Sequence, residues 1–188
     1  QLRRLVTDRI DFYQLHWVPK RGEDDLYNEL YRLKRDGKVR FVGVSLYSVS
    51  DIDYVIDRTA IDGFQICFSL LDPLPFLARL QRFREKKVAV VVRSCLKEGF
   101  LSGKYSTASV FTDERDQRNK LSHEEIVATV ESVERFRFLE QDSGSILRAA
   151  VQYPLSFPEV STVILGSKTK AQAIENFGDV GDGVLSQG

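Results

Sequence analysis

Short apolar runs alternate along this chain with segments of helical periodicity, and this alternation limits the possible folds more than any other feature. The apolar runs predict five strands, at residues 9–16, 39–45, 63–69, 88–94 and 161–166. Apolar residues spaced three or four apart predict helices at residues 24–36, 50–58, 74–86, 122–141, 143–153 and 169–177. Alternating strands and helices are typical of parallel βαβ units, whose doubly buried strands give runs such as VAVVV.

Two architectures fit such units: an open doubly wound sheet and a closed barrel. The open sheet usually has a glycine-rich nucleotide turn after an early strand, and no G-x-G-x-x-G occurs in this sequence. A closed barrel needs eight strands and about 250 residues, whereas this chain has 188 residues. The pattern alone leaves an open sheet and a partial barrel both possible.

Composition narrows the possible partners and the location. Lys+Arg and Asp+Glu number 27 each, and this zero net charge argues against a nucleic-acid partner. No apolar run approaches the ~20 residues of a membrane span, so we expect no membrane partner. The two cysteines, Cys67 and Cys95, are expected to be reduced thiols of a cytoplasmic protein. The chain contains no Met, even at position 1, so we expect it to be a fragment or a processed chain.

Polar residues follow the predicted strands at their carboxyl ends, where α/β folds place their sites. The turn from Gly166 to Thr169 joins a strand to a helix with a predicted capping box of Thr169 and Gln172. Free backbone N–H groups, the helix dipole and Lys168 favour a bound anion there. Lys104, in the loop after the fourth strand, adds another cation. A plain turn with a solvated lysine is the alternative interpretation.

Three other strand residues have both a structural and a functional interpretation. His16 can donate a hydrogen bond or titrate near neutral pH, or be packed against a backbone carbonyl. Arg93 needs an anion or an aromatic face, unless it forms a salt bridge on the rim. Gln65 needs a partner for its amide, which can be a neighbouring strand or a ligand. No Cys/His spacing matches a zinc motif, so we expect no metal.

Five segments, in order, resemble the last five strands of the aldo-keto reductase family. They are RIDFYQLHW, KVRFVGVS, FQICFSLLD, VVVRSCLKEGFLSGKY and STVILGSKTKAQAIEN. The resemblance implies an α/β fold that is a partial (β/α)8 TIM barrel, with the N-terminal three βα units absent. It implies one domain over residues 1–188, with a flexible tail at 178–188.

The resemblance implies an NADPH (NADP+)-dependent oxidoreductase that reduces aldehyde or ketone carbonyls of a small-molecule substrate to alcohols by hydride transfer, without a metal. His16 matches the family's substrate-orienting histidine. The positions that hold the nicotinamide carboxamide are matched by Ser45 and Gln65, and the position beside the nicotinamide ring by Arg93. The loop around the pyrophosphate is matched by Ser94, Leu96, Gly99, Leu101 and Gly103. The 2′-phosphate position is matched by Lys168, beside Gly166, Ser167 and Thr169, and the adenine side by Gln172 and Asn176.

The sequence departs from the family in three respects. Leu46 stands where many members have Asn, and Cys95 replaces the usual Pro of the phosphate loop. The catalytic Asp, Tyr and Lys of the family belong to the first three strands, which we expect in the same or a partner chain. The alternatives are a non-catalytic NADPH-binding or regulatory-subunit-like barrel fragment that lacks the catalytic tyrosine, and a fragment without a ligand. Neither the substrate nor the oligomeric state follows from the sequence.

Overall fold

The computed structural model describes residues 1–19, 22–58 and 61–178, and within these ranges five strands form one sheet in chain order. The strands are β1 (Ile10–Leu15), β2 (Val39–Leu46), β3 (Gly63–Cys67), β4 (Ala89–Arg93) and β5 (Thr162–Val163). The α-helices are α1 (Leu2–Leu5), α2 (Asp24–Arg35), α3 (Val49–Val55), α4 (Leu74–Leu77), α5 (Leu80–Lys86), α6 (His123–Glu134), α7 (Glu140–Ser143), α8 (Ile146–Leu155) and α9 (Lys170–Phe177). Single 3-10 turns occur at Phe100–Ser102, Gln117–Lys120 and Arg137–Leu139. The predicted α/β fold with five parallel strands is confirmed.

The chain divides into two compact units, and β4 contributes residues to both. The first unit consists of Gln1–Cys67 and Leu74–Val91. The second consists of Phe68–Pro73 and Val92–Gly188, of which the structure describes the residues up to 178. The tail predicted at 178–188 therefore lies outside the described residues, except for Gly178.

In the first unit, three neighbouring strands meet at two glycines. Gly43 of β2 is the register partner of Gly63 in β3, and the ring of Phe12 in β1 lies against both positions. A Cβ atom at Gly43 would be 2.5 Å from Phe12 Cζ, and one at Gly63 would be 2.9 Å from the Ala89 carbonyl oxygen. Only glycine allows this close approach of the aromatic ring and the strands.

The helices of the first unit confirm some predicted ends and correct others. α2 ends at Arg35, and Gly37 follows as the predicted left-handed cap, with a φ of 70°. The Lys38 N–H donates to the Leu33 carbonyl at 2.9 Å. The helix predicted over residues 50–58 is α3, and its predicted start at residue 50 is wrong, because Ser48 and Asp51 form the capping box instead. The single helix predicted over 74–86 is split in two, because Arg79 leaves helical dihedrals (φ −128°).

The second unit has its own hydrophobic core beneath a long loop. Nine buried side chains form it: Leu70, Phe100, Leu101, Ile126, Val130, Val133, Ile146, Ala149 and Ala150. The helix predicted over 122–141 begins at its predicted Ser122–Glu125 capping box but ends at Glu134. Gly144, at φ 80°, then closes α7 before Ser145 caps α8. β5 has two residues rather than the six predicted, and next to it the Ile164 N–H donates to the Val92 carbonyl at 2.8 Å.

Across residues 1–19, 22–58 and 61–178, no helix combines the length and the apolar character that a bilayer crossing requires.

Candidate cofactor site

The second unit contains a cavity of about 730 Å³ at the carboxyl ends of β4 and β5. Its walls come from the loop after β4, the loop before α6, the end of β5 and the first turns of α9. The lining residues are Arg93, Ser94, Cys95, Leu96, Glu98, Gly99, Ser102, Lys104, Tyr105, Arg118, Leu147, Ile164, Leu165, Gly166, Ser167, Lys168, Gln172 and Asn176. Its volume lies within the about 300–1,000 Å³ that is usual for sites of small molecules and cofactors.

The turn that leads into α9 is folded back on the helix by two amide side chains. Asn176 Nδ2 donates to the Gly166 carbonyl at 3.2 Å and to Ser167 Oγ at 3.0 Å. Thr169 caps the helix as predicted, by accepting from the Gln172 N–H at 3.1 Å. The predicted return bond of that capping box is wrong, because Gln172 Oε1 accepts from the Lys168 N–H at 2.7 Å instead. This backbone donor is therefore occupied, and the case for an anion rests mainly on side-chain charge.

Four cations line the cavity: Arg93, Lys104, Arg118 and Lys168. Lys104, Arg118 and Lys168 are each paired with a carboxylate. Lys104 Nζ is 2.6 Å from Glu175 Oε2. Arg118 Nη2 is 2.6 Å from Asp116 Oδ2, and Lys168 Nζ is 3.4 Å from the same oxygen. The lysine side chains are about half or more exposed, so these pairs can exchange a carboxylate for an anionic ligand at small cost.

Arg118 is more enclosed than Lys104 and Lys168, with a side chain only 11% exposed. Its guanidinium lies 4.7 Å from the ring centroid of Tyr105 and 4.2 Å from that of Phe111. It also donates to the Tyr105 hydroxyl and, at 3.1 Å, to the Glu98 carbonyl. The hydrogen bonds that Arg118 donates to Asp116 hold the pKa of the Asp116 carboxyl well below its ordinary range, so Asp116 stays charged.

The loop after β4 is built from tight turns in left-handed backbone. Ser94, Lys97 and Glu98 all have positive φ, between 45° and 56°, although none is glycine. The Lys97 N–H donates to the Ser94 carbonyl at 2.8 Å, and the Gly99 N–H to the Leu96 carbonyl at 2.9 Å. Non-glycine residues in such backbone are uncommon and cluster at binding sites, which fits the wall of a cavity.

Two residues of this loop that were predicted for the cofactor, Leu101 and Gly103, pack against the core of the second unit and do not line the cavity. Leu101 is fully buried in the hydrophobic core of the second unit. A Cβ atom at Gly103 would be 2.7 Å from Ile146 Cγ2, and the φ of Gly103 is 73°. The pKa of the Cys95 thiol, also in this loop, is raised to about 12 by burial, so the thiol stays protonated.

The remaining predicted site residues belong to the first unit. Ser45 and Gln65 are register partners on β2 and β3, and Ser45 Oγ donates to Gln65 Oε1 at 3.1 Å. A neighbouring strand therefore supplies one partner of the Gln65 amide. His16 follows β1, is exposed, and lies 3.2 Å from the Tyr47 hydroxyl through its Nε2.

Nine of the residues predicted for the cofactor line the cavity: Arg93, Ser94, Leu96, Gly99, Gly166, Ser167, Lys168, Gln172 and Asn176. Arg118 and its partner Asp116 were not predicted. They lie in a polar loop without helical or strand periodicity, and their D-x-R spacing is shared by Asp113 and Arg115 in the same loop. Among the residues that the structure describes, no group of three or more His, Cys, Asp or Glu side chains could hold a metal ion.

Comparison with known proteins places this chain in a family. The model of the aldo/keto reductase family matches residues 1–187. The uncharacterized oxidoreductase YqkF of Bacillus subtilis (strain 168) is 28% identical over 176 residues, which are 93% of this chain and 56% of that protein. The aldo-keto reductase YhdN of the same organism is 26% identical over 181 residues, which are 91% of this chain and 53% of that protein.

A solved structure agrees with this assignment. The glycerol dehydrogenase of Gluconobacter oxydans superimposes with a TM-score of 0.79 and 25% identity, over 98% of this chain and 57% of that one. The chain therefore belongs to the aldo/keto reductase family. It spans a little over half the length of the curated relatives that it matches.

Proposed function

We propose that this chain is the cofactor-holding part of a reductase that uses NADPH to reduce aldehyde or ketone carbonyls of a small molecule to alcohols. The observation that carries the proposal is the cavity at the start of α9, with Lys104, Arg118 and Lys168 on its walls. Together with Arg93, these are four cations around one cavity, and they favour a ligand with several negative charges. A dinucleotide with an additional 2′-phosphate is such a ligand, and family membership makes it the leading candidate.

The donors on the cavity wall fit this cofactor by their chemistry. Phosphate oxygens accept charge-assisted hydrogen bonds, which Lys168 and Arg118 can donate. Ser167 and Asn176 add a hydroxyl and an amide beside Lys168. We assign Lys168 to the 2′-phosphate, Gln172 and Asn176 to the adenine side, and the loop from Ser94 to Gly103 to the pyrophosphate.

The catalytic roles within this chain belong to the first unit. When bound, NADPH supplies the hydride. Ser45 and Gln65 hold the carboxamide of the nicotinamide, and His16 donates a hydrogen bond that orients the substrate carbonyl. We propose that three further βα units, in the same protein or in a partner chain, complete a (β/α)8 barrel and supply the Asp, Tyr and Lys that transfer the proton. We also propose a cytoplasmic location, since Cys67 and Cys95 are both free thiols.

Titration calorimetry of the chain with NADPH and with NADH tests the cofactor assignment. A charged hydrogen bond contributes about 1.5–3 kcal/mol, so Lys168→Ala should weaken NADPH binding about 10- to 100-fold and NADH binding much less. Lys170→Ala is the matched control, because Lys170 lies two residues after Lys168, is exposed at the start of α9 and does not line the cavity. Equal affinity of the unaltered chain for the two cofactors would contradict the assignment of Lys168.

Turnover is tested separately, in the protein that contains all eight strands, by following NADPH oxidation with a panel of aldehydes and ketones. We expect oxidation that depends on the carbonyl compound and falls strongly in His16→Ala. NADPH binding without oxidation of any compound would instead support a non-catalytic cofactor-binding protein.

A further inference from the structure

His16 and Tyr47 form a pair beyond the ends of β1 and β2. The Tyr47 hydroxyl lies 3.0 Å from the His16 carbonyl oxygen and 3.2 Å from His16 Nε2. The two rings meet edge to face, with centroids 6.0 Å apart and planes at 79°. Both side chains are exposed, so the pair is not explained by core packing.

The backbone next to this pair is fixed by the start of α3. Asp51 Oδ2 accepts from the Tyr47 N–H at 2.9 Å and from the Ser48 N–H at 2.9 Å. Ser48 in turn caps α3 in a complete capping box with Asp51. Leu46, on the other side of Tyr47, is fully buried. The phenol of Tyr47 is therefore attached to a rigid junction of strand and helix, although its ring is exposed.

The two contacts of the Tyr47 hydroxyl determine where the protons lie. A carbonyl oxygen only accepts, so the phenolic proton must be donated to the His16 carbonyl. The phenolic oxygen is then the acceptor of the second contact, and His16 Nε2 must be its donor. A neutral imidazole has one N–H, so Nδ1 carries no proton. We propose that Tyr47 is a positioning residue that fixes His16 in its Nε2–H tautomer.

This tautomer bears on the reaction only through the proposed function, on which this step rests. A carbonyl substrate that His16 orients needs an N–H donor on the ring. Tyr47 selects Nε2 as the nitrogen that carries it, and the substrate carbonyl then replaces the Tyr47 oxygen as its acceptor. Without the phenol, the proton can move to Nδ1 and the ring can turn about its side-chain bonds. Tyr47 would then set the donor for the substrate without touching the reacting atoms.

Nitrogen NMR of the chain labelled with 15N-histidine tests the tautomer directly, without cofactor or substrate. The chain has only two histidines, so His123 serves as an internal reference and His123→Gln assigns the signals. Spectra are recorded over a pH series, and the tautomer is determined on the alkaline plateau, where the nitrogen shifts no longer change with pH. In the unaltered chain we expect a protonated Nε2 and a bare Nδ1, with widely separated nitrogen shifts for His16.

In Tyr47→Phe the separation of the two His16 shifts should narrow as both tautomers become populated, while the His123 signals stay unchanged. Tyr13→Phe, which removes the phenolic hydroxyl of a residue in β1, the strand that precedes His16, should leave the His16 shifts unchanged. A protonated Nδ1 in the unaltered chain, or identical His16 shifts in Tyr47→Phe, would overturn the proposal. Because His123 lies in the second unit, folding of the first unit is checked by amide hydrogen exchange in β1 and β2, which should match that of the unaltered chain. Because no cofactor is present, the result is independent of whether NADPH binds.

Discussion

At the scale of single residues, the chain contains the same D-x-R arrangement twice in one loop, in two different environments. Asp113 pairs with Arg115, whose side chain is 91% exposed, and Asp116 pairs with Arg118, whose side chain is 11% exposed. Exposed ion pairs are worth about 0–1 kcal/mol because water and salt screen them. Enclosed, charge-assisted pairs are worth more, and removing one partner leaves the other without compensation. Burial, not sequence, separates the two pairs.

We therefore expect Asp116→Asn to lower the free energy of unfolding by about 1–3 kcal/mol at pH 7, and Asp113→Asn to change it much less. The pKa of Asp116 is lowered in the folded chain relative to about 3.9 in the unfolded one. Its stabilising contribution is thus present above that unfolded value and is lost as pH falls towards the folded value. Urea unfolding of both variants across a pH series measures this. The difference between Asp116→Asn and the unaltered chain should shrink below about pH 4, and equal effects of the two variants would be evidence against the role of burial.

At the scale of secondary-structure elements, the first unit depends on two glycines, Gly43 and Gly63. An added side chain would clash with a different neighbour at each of them. A Cβ atom at Gly43 would meet the Phe12 ring, which is a side chain that can move. A Cβ atom at Gly63 would meet the Ala89 carbonyl oxygen at 2.9 Å, and backbone in a sheet cannot move without breaking its ladder. The backbone at Ala89 is held by such a bond, because the Ala89 N–H donates to the Asp62 carbonyl at 2.9 Å.

Gly63→Ala should therefore destabilise the chain by about 1–3 kcal/mol, and Gly43→Ala by less. Adding Phe12→Ala should cancel much of the effect of Gly43→Ala and little of the effect of Gly63→Ala, a difference that a double-mutant cycle in thermal unfolding measures. Gly166→Ala is the control, because a Cβ atom there has no neighbour within 4 Å. If Phe12→Ala rescued both variants equally, the Ala89 carbonyl would not be the obstacle at Gly63.

Helices and strands that local residue patterns determine were predictable from the sequence. Features that depend on tertiary contacts were not. The apolar runs located all five strands, and the cap residues Ser122, Thr169 and Gly37 located helix ends. The split after α4 and the shortening of β5 depend on backbone angles and hydrogen bonds that no periodicity encodes. The same holds for the site. Strand ends identified the turn at Gly166, but Arg118 reaches the cavity through the path of an irregular loop.

At the scale of the whole molecule, equal numbers of positive and negative side chains conceal a local concentration of cations. The net charge is zero, yet four cations line the cavity of the second unit. The carboxylates of Asp116 and Glu175 are paired with Lys104, Arg118 and Lys168 until an anion replaces them. A ligand that carries only the adenosine and phosphate groups of NADP+ should therefore act on the second unit.

Hydrogen exchange with adenosine 2′,5′-bisphosphate tests this expectation. The cavity is lined by residues of the second unit, so amides in residues 94–104 and 166–176 should exchange more slowly with the ligand bound. A ligand at 100 times its Kd stabilises the bound form by about 2.7 kcal/mol, which slows exchange through opening of the cavity up to about 100-fold. Strands β1 and β2, in the first unit, should exchange at unchanged rates, and Lys168→Ala should reduce the protection to about 2- to 10-fold at the same ligand concentration. Protection confined to β1 and β2 would place the anion elsewhere, and undiminished protection in Lys168→Ala would remove this lysine from the site.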